Sequence, residues 1–90
     1  MELRASVDWF SQEMERELRH NDHKPGWIGD DLTSLLFRVY DEVRELREAL
    51  SDEEMDPVKV IAEAADVANM AMMIADNVKP LLETSYPLDE

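Results

Sequence analysis

From Val58 to Val78 the chain is apolar on almost every side of a helical wheel. Val58, Val60, Ile61, Ala62, Ala64, Ala65, Val67, Ala68, Met70, Ala71, Met72, Met73, Ile74 and Ala75 leave almost no polar face. A helix of this kind has to be covered on nearly all sides. Two other short helices cannot cover it fully, so a second chain is expected to complete the cover, which implies at least a dimer. Four residues inside the run, Glu63, Asp66, Asn69 and Asp76, argue against a membrane span.

The breakers place the remaining elements. Glycine occurs only at positions 26 and 29, and proline at 25, 57, 80 and 87. They divide the chain into three helical segments and a tail. The first segment, about Glu2 to His20, carries Leu3, Val7, Phe10, Met14 and Leu18 on one face, with Trp9 widening the stripe. Asn21 to Trp27 reads as a loop. The second segment, about Leu32 to Leu50, has Asp30 or Asp31 as its N-cap. Its seam of Leu32, Leu35, Leu36, Val39, Val43, Leu46 and Leu50 calls for helix–helix packing. Asp56 caps the third helix and Pro57 takes its first position. The expectation is one all-α, three-helix domain over residues 1–80, followed by an irregular tail over 81–90.

A chain of 90 residues holds one domain, and at that size about 60% of the unfolded surface is buried, so the core is marginal. Oligomerisation is a common remedy. The lack of cysteine excludes disulfides and thiolate zinc sites and fits the cytoplasm. With 22 acidic and 9 basic residues the formal charge is −13. Phosphate-neutralising nucleic-acid binding and attraction to anionic membranes are therefore not expected. The opening MELRASVDWF has no long apolar run after its arginine, so no secretory leader is expected. Excess carboxylate suits solubility or the binding of hard cations.

Two carboxylate pairs carry the chemistry. Glu42 and Glu45 are three apart on the second helix, and Glu63 and Asp66 are three apart on the third. Residues three apart share a helix face. Glu63 projects among Val67, Met70 and Ile74, where an unpartnered ionised carboxylate is costly. Few cations stand where they would neutralise it, so a metal ion is the economical partner. Two antiparallel helices can aim all four carboxylates at one point, the oxygen-rich site that Mg²⁺ prefers. The plainer readings are salt bridges of Glu42 and Glu45 with Arg38, Arg44 or Arg47, a partner arginine for Glu63, and Asn69 as a polar spacer. The Met70, Met72 and Met73 cluster reads as packing.

The pattern Asp41-Glu42-x-x-Glu45, then 17 residues, then Glu63-x-x-Asp66 resembles the MazG-like all-α nucleoside triphosphate pyrophosphohydrolases. Asp41 replaces the glutamate usual at the first position. Glu63 to Met70, with Asn69 three residues after Asp66, and the His23 to Trp27 segment also look like the family. The resemblance runs from about Trp9 to Asn77. It implies a dimer, or a tetramer of dimers, in which helices of two chains form a four-helix bundle. It implies Mg²⁺, with Mn²⁺ as a substitute, held by Glu42, Glu45, Glu63 and Asp66. The implied reaction cleaves a ribo- or deoxyribonucleoside triphosphate to the monophosphate and pyrophosphate, in clearance of unwanted nucleotides.

On that reading Glu45 orients or deprotonates the attacking water. Asn69 meets a ligand water or a sugar hydroxyl, Lys24 a phosphate or base, and His23 the substrate. Trp27 either stacks on a base or caps the core. Two alternatives stay open: a phosphoribosyl-ATP pyrophosphohydrolase, and a non-enzymatic acidic helical module that docks through its apolar helix.

Overall fold

A computed structural model describes residues 1–82 and contains three helices: α1 (Ala5–His20), α2 (Leu32–Ser51) and α3 (Pro57–Val78). The all-α expectation holds for these residues, and no helix among them is long and apolar enough to cross a membrane. The tail expected over 81–90 lies outside the described residues from position 83 onward.

The helix boundaries follow from local chemistry. Asp31 is the N-cap of α2, and its Oδ2 accepts the Ser34 backbone N–H at 3.0 Å. Asp56 caps α3 by accepting the Val58 N–H at 3.0 Å, with Pro57 in the first turn. Each bond satisfies one of the backbone donors that a helix start leaves open. The first helix begins three residues later than the sequence suggested. Arg4 is extended, with no side-chain cap, and Met1 and Leu3 before it are exposed, so no burial favours extending the helix backwards.

The short turn between Ser51 and Pro57 folds α2 back along α3. Counting from those two residues, positions whose numbers sum to about 108 face each other. Leu35 is thereby set against Met73, Glu42 against Asp66, and Glu45 against Glu63. Leu35, 0% exposed, with Met70 and Met73, forms the centre of the core, ringed by Leu18, Trp27, Val39, Met72 and Ile74. Ala49 and Ala65 are also buried. α3 lies in the middle, packing on α2 along its length and on α1 less extensively, while α1 and α2 scarcely meet.

This arrangement leaves much apolar surface bare. Leu32, Leu36, Phe37, Tyr40, Val43 and Leu50 are exposed on α2, and Leu3, Val7 and Trp9 on or before α1. Phe37 and Tyr40 meet edge to face, with ring centroids 6.1 Å apart. The molecule measures 53 × 33 × 24 Å, with a radius of gyration of 15.5 Å. A globular chain of this length has a radius near 12 Å (about 2.2·N^0.38).

Candidate functional site

The antiparallel register of α2 and α3 brings the acidic pairs together. Glu42, Glu45 and Glu63 each offer a carboxylate oxygen, all within 4.8 Å of one another. Asp66 is not in this trio. It is one methylene shorter than glutamate and lines a cleft shared with Glu17 of α1. The cleft has a volume of about 720 Å³ and is walled by α1, α2, α3 and the loop between α1 and α2. Small-molecule sites commonly occupy about 300–1,000 Å³.

The electrostatics are those of crowded anions. Partial burial pushes the Glu42 carboxyl from 4.5 up to about 7, and Glu45, Asp66 and Glu63 add repulsion while Arg38 opposes the rise. Asp66 is pushed from 3.8 up to about 6, first by burial and then by Glu17, Glu63 and Glu45, with Lys24 pulling the other way. In the absence of a nearby cation Glu42 therefore still holds its proton in part near neutrality, and Asp66 does so only on the acid side of it. A divalent ion would displace those protons and remove the repulsion.

Glu63 departs from the expectation that it lacks a cation. The Lys59 ammonium, one helical turn back, lies 3.1 Å from its Oε2. The i,i+4 spacing places the pair on one face. The Glu63 side chain is only 12% exposed, and its other oxygen, Oε1, is buried with no hydrogen-bond partner among the described residues. A buried carboxylate oxygen left this way is expensive, and the carboxylate belongs to the trio with Glu42 and Glu45. This orphaned oxygen, amid hard oxygen donors, fits a magnesium-like cation. Of the arginines named as partners for the α2 pair, Arg44 bonds Asp41 at 3.2 Å, and Arg38 stands 3.9 Å from Asp30 while still acting on Glu42 through space.

Asn69 is 3% exposed and lines the cleft. Its Nδ2 donates to the Met14 carbonyl at 3.0 Å, which fixes the amide orientation and leaves Oδ1 buried without a donor. Lys24 and Trp27 also line the cleft. Trp27 packs against the core as well as lining the cleft, and its indole N–H donates to Asp76 Oδ2 at 3.0 Å. His23 is exposed and is not among the lining residues.

The sequence reading missed Glu17, Asp30 and the lining role of Arg38. Glu17 is 18% exposed at its side chain and sits beside His20 Nδ1 at 3.9 Å. In the run Glu13-Met14-Glu15-Arg16-Glu17 nothing distinguishes it from its solvated neighbours. The one available cue was its place next to the stripe residue Leu18. No family model, curated protein or solved structure matches the chain.

Proposed function

We propose that the protein is a Mg²⁺-dependent nucleoside triphosphate pyrophosphohydrolase that works as a homodimer or homotetramer. The observation that carries this reading is the Glu63 carboxylate, one of its oxygens buried without a partner, in a trio with Glu42 and Glu45 whose carboxylate oxygens lie within 4.8 Å of one another. The cleft beside it is lined by Glu17, Asp22, Asp30, Glu42, Glu45 and Asp66, against Lys24 and Arg38. A polyphosphate cannot approach so acidic a surface without divalent counter-charge.

Magnesium held by Glu42, Glu45, Glu63 and Asp66 would gather phosphate oxygens and offset the negative charge that develops as the α–β anhydride breaks. Glu45 orients a water towards the α-phosphorus and accepts its proton. Water adds to the nucleotide, pyrophosphate departs, and the monophosphate remains. Lys24 and Arg38 contact phosphate oxygens. One Nδ2 hydrogen of Asn69 is used by Met14, and its buried Oδ1 has no donor, so it can accept from a sugar hydroxyl or a base N–H. His23 has no part in this scheme.

The exposed α2 stripe of Leu32, Leu36, Tyr40, Val43 and Leu50 supports the dimer. A second copy laid along it would complete a four-helix bundle and cover the apolar surface that one chain leaves open. The same stripe would serve a non-enzymatic docking module. That reading gives the orphaned carboxylate oxygen no purpose. The test is consumption of a panel of ribo- and deoxyribonucleoside triphosphates with and without Mg²⁺, alongside melting curves. Mg²⁺-dependent consumption and Mg²⁺-dependent stabilisation are expected together. A folded oligomer showing neither would leave the docking module as the better reading.

A further inference from the structure

The loop between α1 and α2 is pinned to the end of α3 by two adjacent side chains. Asp76 Oδ2 accepts the Trp27 indole N–H at 3.0 Å, while its Oδ1 lies 3.4 Å from the Lys79 ammonium. Asn77 Oδ1 accepts the Gly29 backbone N–H at 2.8 Å. Its Nδ2 donates to the Trp27 carbonyl at 3.0 Å and to the Met73 carbonyl at 2.9 Å. Both amide hydrogens and the amide oxygen of Asn77 are thus in use. Gly29 has φ 87°, a conformation that favours glycine, so the N–H offered to Asn77 depends on that residue.

The pinned loop supplies Lys24, Pro25, Gly26, Trp27 and Asp30 to the cleft wall. It is rich in turn-forming residues and mostly exposed, with little packing of its own beyond Trp27. A wall of this kind has to be held from elsewhere, or ligand binding must supply the ordering. Asp76 lies 13 residues beyond Glu63 on one helix, about 20 Å at 1.5 Å per residue. It is far from the carboxylate trio and acts only through the loop.

We propose that Asp76 and Asn77 are positioning residues that hold this loop, with its Lys24, as a wall of the cleft and so set nucleotide affinity, independently of the carboxylates. The inference rests on the nucleotide reading above. The experiment compares Asp76→Ala, Asp76→Asn and Asn77→Ala in a Trp9→Phe background, where Trp27 is the only tryptophan. Asp76→Asn keeps an oxygen acceptor for the indole N–H, and Asp76→Ala does not.

For Asp76→Ala and Asn77→Ala the expected result is a KM raised tenfold or more and a kcat within about threefold of the parent. Their Mg²⁺-induced rise in Tm should be unchanged, and acrylamide should quench Trp27 more strongly. Asp76→Asn should keep a KM near that of the parent. Unchanged KM, a fall in kcat that matches the rise in KM, or equal damage in Asp76→Asn and Asp76→Ala would overturn the inference. A Trp9→Phe parent that hydrolyses no nucleotide would overturn the function itself. Quenching still reads the loop in that case, and unchanged quenching would show that the pins do not hold it.

Discussion

Replacing Glu63 by glutamine keeps the side chain's shape and removes its charge. The three carboxylate oxygens of the trio lie within 4.8 Å of one another. Two unit charges at that distance repel by about 1 kcal/mol in water and about 3 kcal/mol at an effective dielectric near 20. The substitution removes two of the three repulsive pairs. The pair with Glu42 counts only in part, because that carboxyl titrates at about 7. The lost ion pair with Lys59, whose ammonium is in water, offsets little of this. Without metal, Glu63→Gln should therefore be more stable than the parent by on the order of 1 kcal/mol, raising Tm by roughly 4–8 °C for a domain this small.

With metal the order reverses. Mg²⁺ at a hundred times its Kd stabilises the parent by about 2.7 kcal/mol, roughly 10–20 °C, and the variant should lose most of that gain. The assay is thermal melting followed by circular dichroism at fixed protein concentration, with EDTA and with Mg²⁺. A metal-free variant less stable than the parent by 1 kcal/mol or more, or one that keeps the full Mg²⁺ shift, would refute the reasoning.

Other outcomes follow from the same structure. Glu42 and Asp66 hold protons more tightly folded than unfolded, so their favourable contribution is complete below pH about 4 and is lost as pH rises through about 6 and 7. Metal-free protein should accordingly melt higher at pH 5.5 than at pH 8, and Mg²⁺ should narrow the gap; a higher melting point at pH 8 in EDTA would contradict the assignment. Leu35→Ala opens a cavity at the one large side chain that is fully buried among the described residues, and should cost about 2–5 kcal/mol in urea unfolding. Asp56→Ala removes the N-cap of α3 and should cost about 1 kcal/mol by the same measure. Leu36→Glu combined with Val43→Glu places charge on the bare α2 stripe and should yield monomers in sedimentation velocity, where the proposed dimer predicts that the parent sediments as a dimer or larger.

Much of this architecture was legible because its determinants are local. Asp56-Pro57 marks a helix start wherever it occurs before an apolar run, and Asp31 needs only Ser34 to act as a cap. The convergence of Glu42, Glu45 and Glu63 was legible as well, since a short turn between two long helices forces an antiparallel register. Three features were not. The Lys59–Glu63 pair occupies one Glu63 oxygen, and a lysine four residues before a glutamate is too common on solvated helix faces to mark it. Glu17 enters the cleft only because α1 packs on α3 and scarcely on α2, a tertiary choice that no single helix encodes. Asp76 and Asn77 read as polar residues near a helix end, and their bonds to Trp27 and Gly29 span nearly fifty residues.

The most direct test of the central claim is ³¹P NMR of a deoxyribonucleoside triphosphate incubated with the protein and Mg²⁺. The account predicts monophosphate and pyrophosphate signals growing in equal amounts, with neither appearing when Glu63→Gln replaces the parent. Orthophosphate with a diphosphate, or a triphosphate that persists unchanged across the panel, would contradict it.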